Sequence, residues 1–250
     1  MVAGSSASVR LGDVAIVGGG CYGSFYAGQL EAARRMGKAE YRRLLVVDRD
    51  PGCRAAATTA PGRELVLREW SAFFDEWLGA ARVPAPDDPP DAIVPSPLMP
   101  HLMYDWLLAR ARARWPGRLV QRRPLPLGPG TPYDEAAPDG TRYLSFADWL
   151  CPVHCIEPLV CPVIRGPRTW EMGEALEQLT ARLAASQPTE GPVLFECRHR
   201  VHGVGMFDVA AVLGGDALVA RAGAAHPTVD VVVGTVSACH GAAGLLHLGP

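Results

Sequence analysis

Three cysteines and a histidine fall within the run CPVHCIEPLVCP, which spans Cys151 to Pro162. Thiolates are good ligands for zinc and for iron–sulfur clusters. The spacing, three residues and then five, matches neither the iron–sulfur runs that end in Cys-Pro nor a CxxC zinc hook. Cys151, Cys155 and Cys161 are therefore candidate ligands for zinc or an iron–sulfur cluster, with His154 beside them. The competing reading is that these cysteines are small buried hydrophobes. A fourth ligand has to come from elsewhere in the chain. Cys197, His199 and His202 follow one apolar run, and Cys239 and His240 follow another.

The same histidines are the candidates for proton transfer, because an imidazole titrates near neutrality. His199, His202 and His240 are the expected catalytic residues. Cys155 or Cys239 is an alternative as nucleophile, although no base partner is evident. Two segments, His202 to Gly205 and Ser237 to Gly241, have the composition of backbone cradles for an anion, or of ordinary turns between elements. Glu157, Arg165 and Arg168 flank the cysteines and either bind a carboxylate substrate or fix the loop. Arg110, Arg112, Arg114, Arg118, Arg122 and Arg123 form a basic stretch that reads as a solvated helix face and loop. It lacks the interleaved aromatics of a single-strand binder.

A second constellation is rich in glycine. Gly18-Gly19-Gly20-Cys21-Tyr22-Gly23 fits GxGxxG, with Gly18, Gly20 and Gly23 in the three slots. The first slot permits a tight turn, the second lets a pyrophosphate approach the backbone, and the third lets the helix pack closely. The helix that follows turns unsatisfied N–H groups towards the phosphates. Asp48 stands 30 positions beyond Gly18 (48 − 18), farther than the usual spacing of about 20. It is placed to accept hydrogen bonds from ribose hydroxyls and to disfavour a 2′-phosphate. The runs IVGGGCYGSFYAGQL and LLVVDRD resemble the Rossmann-fold NAD(P)/FAD-binding superfamily over roughly the first fifty residues. The resemblance implies a dinucleotide site at Gly18, Gly20, Gly23 and Asp48, for NAD with FAD or NADP as alternatives.

The elements that would position these groups alternate. Strands are expected at Val14 to Val17, Leu44 to Val47, Ala92 to Val94, Leu119 to Gln121, Arg142 to Phe146, Pro192 to Cys197 and Val229 to Val233. Helices are expected at Ser24 to Met36, Arg68 to Ala81, Pro100 to Arg114, Thr169 to Ala185, Met206 to Ala222 and Ala238 to Leu248. Trp70, Phe73, Phe74 and Trp77 recur at helical spacing and read as core. Val83 to Asp91 is a proline-rich connection. This alternation predicts one α/β domain, a doubly wound, mostly parallel Rossmann-like sheet. Residues 1–12 would be a disordered lead-in and 124–166 a Pro/Gly/Cys-rich insertion. Loops leaving parallel strands gather at one edge, so Gly20, His199, His202, Cys239 and His240 are expected on one rim.

Composition limits the partners. The 250 residues are 48% hydrophobic and 20% charged, with a net charge of -2, as in a packed globule. That charge gives no reason to expect nucleic acid. No apolar run reaches the length of a membrane span, and the N-terminus lacks a signal-peptide core. The expected setting is the cytoplasm, with cysteines as thiols or metal ligands. The function these features suggest is a dinucleotide-binding oxidoreductase acting on a small molecule. The alternative is a non-catalytic nucleotide sensor or a metal-binding accessory module.

Overall fold

The computed structural model describes residues 8–79, 87–152 and 155–250. The chain divides into two compact units, each drawn from two stretches. One comprises Met1–Met99 with Arg198–Ala210, the other Pro100–Cys197 with Ala211–Pro250.

The first unit begins with β1 (Val9–Val17), α1 (Cys21–Arg35) and β2 (Ala39–Asp48). A 3-10 turn (Arg54–Ala57), β3 (Arg63–Leu67), α2 (Trp70–Gly79) and β4 (Ala92–Val94) follow. Most of β1 is buried without alternation, which marks a strand covered on both faces. Strands β4, β1, β2 and β3 lie side by side and parallel. Helix α1 buries Gly23, Ala27, Leu30 and Ala33 along one stripe. On α2, Phe73 and Phe74 are core as expected, while Trp70 and Trp77 are half-buried, and Phe73 stacks on Trp77 at 5.5 Å. Trp70 donates its indole N–H to the Val47 carbonyl at 3.0 Å, close to the end of β2. Buried Asp13 on β1 meets Arg42 and Arg43 at 2.6 Å each. Burial opposes its ionisation, but hydrogen bonds from the two guanidiniums outweigh that and hold the carboxyl below its usual range.

The second unit opens with α3 (Leu102–Arg114), β5 (Val120–Arg123), β6 (Tyr133–Ala136) and β7 (Arg142–Ser145). It continues with the short β8 (Val160–Cys161) and β9 (Gly166–Pro167), then α4 (Met172–Ala184) and β10 (Thr189–Glu196). The chain then gives β11 (Arg198–Val201) and β12 (Val204–Asp208) to the first unit's sheet. Helix α5 (Val209–Ala225), β13 (Val229–Val236) and β14 (His240–Leu248) complete the chain. The second core joins Leu176, Leu179 and Leu183 of α4 to Val232, Val236, Ala243 and Leu245 of the sheet.

The expected doubly wound, mostly parallel sheet is not what forms. There are two main sheets and both are mixed. The first has the order β11-β12-β4-β1-β2-β3, with β12 antiparallel to β4. The second has the order β10-β13-β14-β7-β6, with β5 also on β14, and only its β10–β13 pair is parallel. Connection length explains the difference. β13 and β14 are joined by Ser237–Cys239, whereas a parallel crossover needs about a dozen residues. The expected helix Ala238 to Leu248 is thus strand β14. The expected helix start at Met206 is likewise strand, and α5 begins at Val209. Segment 124–166, expected as an insertion, supplies β6 and β7 to the second sheet and β8 to a separate pairing with β9.

The arginine stretch is a set of clips more than a solvated face. Arg110 and Arg114 hold Asp216 at 3.3 and 2.9 Å. Arg118 donates to the carbonyls of Gly223, His226, Pro227 and Gly249. Arg122 pairs with Asp105 and Asp139. Of the expected lead-in, residues 1–7 lie outside the described residues, and β1 starts at Val9. The end of the helix expected to reach Ala81, much of the connection from Val83, and His154 also lie outside them. No helix among the described residues is long and apolar enough to cross a membrane.

Candidate functional site

In the first unit the glycine loop leaves the carboxyl end of β1. Gly18 has a φ of +85°, a conformation that costs glycine little. Its N–H donates to the Val47 carbonyl at 2.9 Å, which ties the loop to β2. A Cβ on Gly23 would stand 1.7 Å from the Gly18 carbonyl oxygen, so helix and loop touch through backbone alone. A Cβ on Gly20 would meet nothing within 4 Å. Gly20 is the N-cap of α1, which has no side-chain cap and no acidic residue in its first turn. No side chain of the helix itself compensates its positive end.

Asp48 ends β2 beside this loop. Its Oδ2 accepts the Gly19 N–H at 2.7 Å and its Oδ1 the Asp50 N–H at 2.9 Å. Each carboxylate oxygen keeps a further lone pair for a ligand hydroxyl. Gly18, Gly20, Gly23 and Asp48 are thus brought together where β1 and β2 end. The sequence reading missed the support beneath them. Cys53 packs under Gly19, where a Cβ would lie 2.4 Å from its sulfur, and the Ala55 N–H donates to the Gly19 carbonyl at 2.8 Å. Arg54, on the 3-10 turn between them, places Nη1 3.8 Å from the Cys21 sulfur at the start of α1. No spacing rule marks these residues, because they arrive from the loop after β2.

His199 and His202 belong to the hairpin of the same unit. His199 lies on β11 opposite Gly205. His202 and Gly203 form the two-residue turn, with φ values of 46° and 72°, as a type I′ turn requires. The His202 carbonyl accepts from Gln29 of α1 at 3.2 Å. The expected anion cradle at His202 to Gly205 is therefore turn and strand. The expected single rim fails at its premise, since Gly20, His199 and His202 serve one sheet while Cys239 and His240 serve the other.

The second unit carries an open cleft. Cys151, Cys155, Cys161 and Cys239 all line it, with Trp149, Trp170, Glu157, Arg168 and His240. Glu157 holds the cysteine segment to the β13–β14 turn. Its Oε1 accepts from the Ser237 hydroxyl at 2.6 Å and lies 3.1 Å from His240 Nδ1. Its Oε2 accepts the Ala238 N–H at 2.9 Å. Burial opposes ionisation of Glu157, but the hydrogen bonds from His240 and Ser237 prevail and hold its carboxyl at about 2. Of the two roles expected for Glu157, the contacts give it loop fixation. Ser237–Cys239 is the hairpin turn around that carboxylate, and His240 and Gly241 begin β14.

Burial pushes the Cys239 thiol up to about 11, against a hydrogen bond from the Trp170 indole N–H at 3.3 Å. Burial also raises the Cys151 thiol, and neighbouring Cys155 and Cys161 add to it. A buried, protonated thiol is a poor nucleophile, which weighs against a free Cys239 as attacking group. Arg168 is 8% exposed along its side chain, donates to the Trp170 carbonyl and pairs with Glu171. Trp149 and Trp170 meet edge to face at 6.3 Å. Neither tryptophan stood out in the sequence, where each is an isolated aromatic. The three candidate metal ligands do reach one cleft. Among the described residues, however, no three His, Cys, Asp or Glu side chains are grouped as a single metal ion requires.

Residues 103–249 match the model of the family AF_1314_C, described as "Uncharacterized protein, C-terminal domain", and the chain belongs to that family. No curated protein and no solved structure matches the chain.

Proposed function

We propose that this member of the family binds an adenine dinucleotide on the Gly18–Gly23 loop and works as a cytoplasmic oxidoreductase on a small molecule. The carrying observation is the unequal space around two glycines three residues apart. Gly23 is closed by backbone contact, while Gly20 faces open space at the uncapped start of α1. A pyrophosphate needs that combination, a helix held close to the strand and a backbone it can touch. The loop also leaves β1 between β4 and β2, where the strand order reverses, the usual crevice for ligands on parallel strands.

Asp48 favours NAD over NADP. Its carboxylate accepts ribose hydroxyls and repels a 2′-phosphate, and Arg49 beside it is drawn to Glu69 at 3.3 Å. A bound dinucleotide would carry the hydride, and the chain's task would be to hold and orient it. Cys21, Cys53, Cys151, Cys155, Cys161 and Cys239 are free thiols, which suits a reducing compartment.

Calorimetric titration of the full chain with NAD, NADP and FAD tests this reading. Saturable binding of NAD, weaker for NADP, is expected. Gly20→Ala should weaken binding by roughly tenfold or more, about 1.4 kcal/mol, by filling the space the pyrophosphate needs. Failure of all three ligands to bind would sink the proposal, as would undiminished binding in the variant. Tight FAD binding in place of NAD would keep the loop's role and change the cofactor.

A further inference from the structure

Four of the seven cysteines line a single cleft, although 77 residues lie between Cys161 and Cys239. The remaining three, Cys21, Cys53 and Cys197, do not line it. Chance burial of small apolar side chains gives no reason for that convergence. Three further features belong to the same cleft. Glu157 clamps the cysteine segment onto the turn that carries Cys239, through Ser237, Ala238 and His240. Trp149, Trp170, Pro158 and Pro162 supply apolar walls. Arg168, nearly buried, has an Nε with no hydrogen-bond partner among the described residues.

The arrangement discriminates between ligands. A zinc ion pulls four sulfurs to about 2.3 Å from one point. No such convergence exists among the described residues, and the four cysteines line an open cleft. A polynuclear centre fills such a space, with each iron meeting its own sulfur ligands. Thiolate-ligated clusters are anionic, and Arg168, although paired with Glu171, brings a guanidinium to the wall. Apolar walls keep water from the sulfides.

We propose that Cys151, Cys155, Cys161 and Cys239 are the ligands of an iron–sulfur cluster in this cleft, with Glu157 as a positioning residue. On ligation each thiol gives its proton to solvent and its sulfur bonds to iron, and no cysteine changes oxidation state. The proposal does not depend on dinucleotide binding.

The test is anaerobic incubation of the full chain with ferric and ferrous iron and sulfide, which already hold the iron at the cluster's oxidation level, then desalting. Iron and acid-labile sulfide should be retained in equal amounts, roughly two or four of each per chain, with a broad visible absorption. Iodoacetamide mapping by mass spectrometry should show the four cleft thiols protected and exposed Cys21 modified. Cys239→Ala should lose at least half of the iron, Cys197→Ala none, and Glu157→Gln should retain less than the parent. The mapping uses the parent chain alone, so it stands even if a variant fails to fold. Retention of one zinc and no iron, alkylation of the cleft thiols in the loaded chain, or full iron in Cys239→Ala would each overturn the assignment.

Discussion

Gly20 and Gly23 are the same residue type in one motif, yet they answer substitution differently. Gly20 has ordinary extended torsions and open space at its Cβ position. Gly20→Ala should lower stability by no more than about 1 kcal/mol in urea unfolding, the cost of alanine at an N-cap. Gly23→Ala drives a methyl against the Gly18 carbonyl, a backbone atom that cannot swing aside. A loss of about 2–3 kcal/mol is expected in the same assay, the range for overpacking against a rigid neighbour. Equal stability of the two variants would remove the division of labour on which the nucleotide reading rests. Glu157 gives a pH-dependent test at the same scale. Its carboxyl is held at about 2, below its ordinary value of 4.5. A depressed carboxylate adds stability that is fully present above about 4.5 and disappears as pH falls through about 2. Glu157→Gln should therefore be less stable at pH 6, by about 1–2 kcal/mol, a figure kept small because His240 is largely exposed. The gap should close towards pH 2. A gap independent of pH would mean that the ionised form is not what the site favours.

At the scale of elements, the hairpin β13–β14 carries a buried polar pair within an apolar strand. Asp230 and His247 face each other in register, with His247 Nδ1 2.7 Å from Asp230 Oδ1 and both side chains buried. Removing one partner strands the other away from water. Asp230→Ala should cost about 3–5 kcal/mol in urea denaturation, whereas replacing both partners by apolar residues should cost less. Additive losses in the double variant would show that the two do not act as a pair. This hairpin is also where the sequence was hardest to read. The β14 sequence, HGAAGLLHL, is buried from Ala242 to Leu248, so it shows no alternation, and its Ala and Leu content favours helix. Only the short connection from β13 revealed an antiparallel partner. By contrast, β1, α1, β2 and α2 were legible because glycine, aspartate and aromatic spacing mark their ends and faces. The loop residues Gly18 to Gly23 with Asp48 were found by that spacing, and Cys151, Cys155 and Cys161 by their clustering. Cys239 entered only as one of several possible partners, and Trp149 and Trp170 not at all. Proximity of segments far apart in sequence leaves no local periodic trace.

At the scale of the molecule, neither unit is a continuous stretch of chain. The first unit's parallel strands all lie before residue 100, which invites the view that residues 1–99 form a complete domain. The core argues otherwise. Val201, Val204 and Met206 from the β11–β12 hairpin are buried in the same cluster as Val14, Ile16, Ala92 and Val94. β12 also covers the edge of β4, a three-residue strand paired on its other side to β1. Without the hairpin that edge and the apolar surface beneath it meet water. Fragment 1–99 is therefore expected to lack a cooperative thermal transition by circular dichroism. The same fragment extended by a flexible linker to residues 198–210 should recover one, because the linker restores the missing strand pairing and the three buried side chains. A cooperative transition in fragment 1–99 alone would show that the hairpin is peripheral. The matched family region, residues 103–249, includes this hairpin, so a chain cut to that region would expose the hairpin's apolar face where β4 and its neighbours now cover it.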